Sequence, residues 1–161
     1  MKVTVIDNQS EVDIDLRLVE EVSAYISDKF DKDESCQANI IFTGKEEIRG
    51  LNNKYRGVDR ATDVLSFSYL YNNPEEQEKK IEQFEKQHDH HIIGEIIICP
   101  QVAQENCKER DRWRLDLEIS LLIIHGFLHL YGYDHESLED RDKMFDIQDS
   151  MLEDVRSKFK L

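Results

Sequence analysis

The sequence predicts an α+β fold: a mixed sheet of about four strands packed with about five helices, with a metal site on a buried helix. Three observations predict it. Segments of strand-like alternation and segments of helical apolar spacing succeed one another in the order β-α-β-α-β-β-α-α-α. One segment, 115–131, is apolar almost all round, the pattern of a helix enclosed on every side. No linker and no internal repeat interrupts the 161 residues, a length that suits one domain (1–161) with one core.

The elements follow in order. Val3 and Val5 alternate with polar neighbours as a first strand, and the opening residues read as that strand, not as a signal peptide. Asp13 or Asp15 can cap the next helix, whose stripe is Leu16, Val19, Val22, Ile26 and Phe30. A charged turn at 31–34 leads to a second strand over 36–42. Thr43 and Glu46 have the spacing of a capping box for a second helix, with Ile48, Leu51 and Tyr55 as its inner stripe. Residues 62–69 alternate as a third strand. The polar stretch 72–89 reads as an exposed excursion. Its end carries His88, His90 and His91, a second metal site or, more simply, histidines in a charged loop. Residues 92–99 are apolar enough for a central strand. Pro100 suits the first position of the helix that continues over 101–110, with Val102, Ala103 and Cys107 facing inward. Ser137 to Asp140 has capping-box spacing for the last helix, whose stripe is Met144, Ile147, Met151 and Val155.

Twenty-one basic residues against 35 acidic ones give a net charge of −14. That balance argues for solubility and against general affinity for nucleic acid or anionic membrane. Cys36, Cys99 and Cys107 are odd in number and lack C-x-x-C spacing, so they read as reduced thiols of a cytoplasmic protein. The longest apolar run, 121–124, is far too short to span a bilayer.

The chemistry concentrates in His125-Gly-Phe-Leu-His129-Leu-Tyr-Gly132-Tyr-Asp-His135. Histidines four apart share one helix face, one turn from each other. Gly132 can adopt the left-handed conformation, end the helix and bring His135 round as a third nitrogen ligand. Three protein ligands and one open position describe a catalytic zinc site. The spacing is that of the long zinc motif of metzincin peptidases, except that Gly126 stands where those enzymes carry their glutamate base. Three neutral imidazoles leave the ion its formal charge, which lowers the pKa of bound water toward ~7. Asp134 can orient a ligand or cap the last helix.

A second concentration is basic. Arg49, Lys54, Arg56 and Arg60 lie close together on an acidic chain, either as a solvated helix face or as a phosphate clamp.

The histidine stretch, together with Tyr55-Arg56-Gly57, Thr62-Asp63-Val64-Leu65-Ser66-Phe67 and Gly94-Glu95-Ile96-Ile97-Ile98-Cys99-Pro100, closely resembles the YbeY family. The resemblance runs from about residue 51 to residue 135. It implies the same architecture and a metal-dependent, single-strand-specific endoribonuclease. The implied role is ribosomal RNA maturation at the 16S 3′ end and ribosome quality control. The implied cofactor is one zinc, and the implied partners are precursor RNA and a ribosomal particle or protein. The resemblance makes the Arg of Y-R-G functional, and Arg56 holds that position, which favours the clamp. Two other readings compete. A peptidase-like hydrolase shares the metal spacing but lacks its base at Gly126. A non-catalytic, metal-containing ribosome-assembly factor suits the −14 charge.

Overall fold

The computed structural model describes residues 1–30, 36–70, 91–108, 114–133 and 137–161, with the backbone alone at His91. The readings made on 31–34, on the 72–89 excursion, on His88, His90 and the His91 side chain, and on Asp134 and His135 lie outside the described residues. The elements are β1 (Lys2–Asp7), α1 (Leu16–Phe30), β2 (Cys36–Phe42), α2 (Lys45–Arg56), β3 (Val64–Ser68), β4 (His91–Ile98), α3 (Pro100–Lys108), α4 (Leu115–Leu130) and α5 (Leu138–Phe159). The four described strands form one mixed sheet in the order β1-β2-β4-β3. β1, β2 and β4 run parallel, and β3 pairs antiparallel to β4, with Val64 opposite Ile98 and Ser68 opposite Gly94. The strand expected to be central, β4, therefore has a neighbour on each side, as its apolar run required.

The two faces of the sheet are covered unequally. Ala38, Ile40, Phe42, Ile96 and Ile98 join Val19, Val22 and Ile26 of α1, α4 from Ile119 to Leu130, and Met144 and Val155 of α5 in the main core. On the opposite face a smaller cluster gathers Ile48 of α2 with Leu65, Ile97 and Cys99. α4 is the most enclosed helix among the described residues, as its composition predicts: eleven of its residues are buried. Phe30 of α1 stacks on Phe127 and Tyr131 with ring centroids 5.6 and 5.1 Å apart, fixing the C-terminal half of α4 against α1. No helix among the described residues is long and apolar enough to cross a membrane.

Helix ends follow local chemistry. The Asp15 carboxylate accepts from Leu18 N at 3.0 Å, so Asp15 is the cap of α1. Ser137 Oγ accepts from Asp140 N at 3.1 Å and donates to its carboxylate, as the spacing predicted for α5. The capping box expected at Thr43 does not form. Gly44 is the N-cap of α2, in extended conformation, and the buried Thr43 hydroxyl donates instead to the Glu47 carboxylate. The inner stripe of α2 is also shifted. Tyr55 is 57% exposed, and Asn52 is buried in its place. The Asn52 amide donates to the carbonyl of Arg60 at 2.8 Å, holding the loop after the helix. The third strand is shorter than its alternation suggested. Asp63 turns its carboxylate onto Val64 N, accepts from the Asn106 amide, and offers its backbone carbonyl to Cys99 N. The Thr62-Asp63 pair thus ties the start of β3 to β4 and α3.

Candidate active site

α4 is buried on most of its circumference, but one stripe opens. Leu121, His125 and His129, each four residues from the next, are half-buried between fully buried neighbours. Two of the three predicted ligand histidines therefore sit on the open face of the best-packed described helix. Their Nε2 atoms lie 3.1 Å apart, and the rings meet at 78° with centroids 4.6 Å apart. Two nitrogens sharing one tetrahedral zinc at ~2.0–2.1 Å would stand about 3.3 Å apart, so this pair fits a common ion. The pair lies in the last turns of α4, at the negative end of the helix dipole, which favours a cation.

His125 has a second partner. Its Nδ1 faces Oε1 of Gln148, on α5, at 3.0 Å. An amide carbonyl oxygen only accepts, so this contact is a hydrogen bond in the tautomer that carries the proton on Nδ1 and leaves the Nε2 lone pair toward His129. Sequence reasoning missed Gln148. The available signal was a polar residue set among Met144, Ile147 and Met151 on the packed side of a helix.

Gly132 adopts φ 82°, the left-handed conformation its position predicted. Tyr133 N donates to Leu128 O and Gly132 N to His129 O, both at 3.0 Å, which is the Schellman pairing that stops a helix and reverses the chain. Ser68 Oγ of β3 donates to Leu130 O at 2.9 Å. Gly94 lies just below: a Cβ there would meet Leu130 and the Phe67 carbonyl within 2.5 Å. The end of α4 is thus pressed onto the sheet and pinned to its edge strand. Among the described residues no group of three or more His, Cys, Asp or Glu is arranged to hold a metal ion, and His135 is outside them.

Gly126 faces the sheet. A Cβ there would meet three side-chain atoms of Ile96 at 2.6–2.9 Å. A glutamate at this position would be driven into the helix–sheet contact. The missing peptidase base is therefore also a packing requirement of this helix.

Arg56 ends α2, and Gly57 follows it at φ 69°. Tyr55 sets its ring edge-on to Phe67 at 5.0 Å, one residue from the Ser68 that holds α4. The chain neighbours of Arg56 and His129, Tyr55 and Leu130, thus contact consecutive residues, Phe67 and Ser68, at the end of β3. The basic patch sorts itself by partner. Arg49 is paired with Asp59 at 2.8 Å, which lowers the Asp59 pKa, and Lys54 lies over the Tyr55 ring. Among the described residues Arg56 has no carboxylate partner, and its exposed guanidinium is available to an anion.

The comparisons with known proteins agree with one another. The family model described as endoribonuclease YbeY matches residues 4–156. An endoribonuclease YbeY of Staphylococcus saprophyticus is 34% identical over 83% of this chain and 82% of its own. One from Latilactobacillus sakei is 34% identical over 98% and 99%. The solution structure of TM1509 from Thermotoga maritima superposes with a TM-score of 0.62 at 27% identity, covering 98% of this chain and 91% of that one. Fold and relatives together define an RNA-cleaving hydrolase. The chain belongs to the endoribonuclease YbeY family, a family of metalloenzymes.

Proposed function

We propose that this protein is a zinc-dependent, single-strand-specific endoribonuclease of ribosomal RNA processing. It acts at the 3′ end of 16S rRNA and in ribosome quality control, in the cytoplasm, as a single domain. His125, His129 and His135 hold one ion, and Arg56 binds the phosphate. What supports the metal centre is the pair of Nε2 atoms 3.1 Å apart on the open stripe of a rigid helix, with the Gly132 turn directly before His135.

When bound, the ion supplies Lewis acidity at the phosphoryl group. The chain supplies the rest. His125 and His129 orient their lone pairs without side-chain search, because α4 is locked in the core. Arg56 presents a planar fork of donors that matches phosphate oxygens and stays charged as negative charge grows on them. Asp59 compensates Arg49, and Arg56 keeps its charge for substrate. The −14 charge confines attraction to this local site, so a ribosomal particle or protein partner presents the strand.

The test is cleavage of a 16S precursor fragment spanning the mature 3′ end, offered single-stranded and as a duplex, naked and within a small-subunit particle. Cutting of the single strand near the mature end, enhanced in the particle, is expected. An intact RNA with a fully metal-loaded protein would leave the assembly-factor reading instead.

A further inference from the structure

We propose that Gln148 is a positioning residue of the metal centre, fixing the tautomer and ring angle of His125. The inference rests on the reading of His125 as a ligand and adds a residue from a different helix to the site. Gln148 Oε1 stands 3.0 Å from His125 Nδ1. An oxygen that only accepts favours the tautomer with the proton on Nδ1, which leaves Nε2 as the electron-pair donor. The same contact fixes the rotation of the ring about its bond to the helix.

The arm that carries Gln148 is rigid. One turn before it Met144 is fully buried, two turns after it Val155 is fully buried, and Ile147 and Met151 pack against the main core. Ser137 caps the start of the same helix. The amide is therefore held by the core on one side and meets the half-buried histidine on the other. A glutamine on this packed flank gives up apolar burial, and its pairing with His125 is the contact that offsets the loss. Partners that orient ligating histidines in this way are worth ~10–100-fold in metal affinity.

The experiment uses the full chain with Zn²⁺ and a competing chelator, for wild type, Gln148→Met and Gln148→Glu. Long-range proton–nitrogen NMR of the metal-free proteins reads the His125 tautomer. Gln148→Met keeps the volume but removes the acceptor; it should bind zinc ~10–100-fold more weakly and lose the Nδ1-protonated form. Gln148→Glu keeps an acceptor and should keep both the affinity and the tautomer. A packing role alone would weaken the Glu variant more than the Met variant, and that order overturns the proposal. Wild-type affinity and tautomer in Gln148→Met overturn it as well, with the metal site left standing. A wild type that binds no zinc overturns the metal reading and this role together.

Discussion

The Nε2 atoms of His125 and His129 approach to 3.1 Å on a half-open stripe of a helix that is otherwise largely buried in the core. This geometry needs three supports. Gly126 lets the helix lie close to Ile96, Gly132 stops it one turn after His129, and Ser68 holds its last carbonyl to the sheet edge. Each support can be removed singly.

Gly126→Ala should destabilise the fold. The new methyl would collide with Ile96, and overpacking of a close-packed core typically costs roughly 1–3 kcal/mol. Denaturant unfolding checks this, and Ile96→Val in the same chain should recover part of the loss. Unchanged stability in Gly126→Ala would mean that the helix–sheet contact is loose.

Gly132→Ala acts on the turn. Alanine at φ 82° is disfavoured by roughly 1–2 kcal/mol, and the turn leads directly to the proposed third ligand. Zinc affinity should fall together with stability. If affinity measured by chelator competition stayed at the wild-type value, His135 would not depend on this turn.

Arg56→Ala should leave folding and metal content intact while RNA cleavage falls. Removing one donor to a developing oxyanion costs roughly 2.7–4 kcal/mol, about a hundred- to a thousand-fold in rate. Arg56→Lys should recover only part, because an ammonium is a point charge and not a fork. Full-rate cleavage by Arg56→Ala would end the clamp.

Binding to naked single-stranded RNA should be weak and only shallowly salt-dependent. Counterion release contributes a slope of about −0.7 per phosphate neutralised, so two to four contacts correspond to roughly −1.4 to −2.8. Tight binding with a slope several times steeper would contradict a local site on an acidic body.

Much of this was legible in the sequence because it is written in local periodicity. The His125–His129 spacing, the Gly132 stop, the Ser137 cap and the enclosed helix are each set by residues within a turn or two of one another. What was not legible depends on partners far along the chain. Gln148 meets His125 across 23 positions, and Gly126 meets Ile96 through helix–sheet packing. The α2 stripe shows the limit well. Asn52 adjoins Leu51 on the helix surface, and helical spacing alone does not say which of the two neighbouring stripes turns inward. The Arg60 carbonyl, which needs a donor, draws Asn52 in and leaves Tyr55 against Phe67 at the rim. Thr43 misled because Gly44 takes the extended cap position one residue later.

The central claim is tested most directly by cleavage of a single-stranded RNA with chelator-stripped protein, zinc being returned stepwise to wild type and to His129→Ala. Stripped wild type should be silent and should regain activity in proportion to bound zinc, saturating at one ion per chain, while His129→Ala should neither retain the ion nor cut. Cleavage by stripped protein, or wild-type cleavage by His129→Ala, would contradict a histidine-held metal as the centre of the reaction.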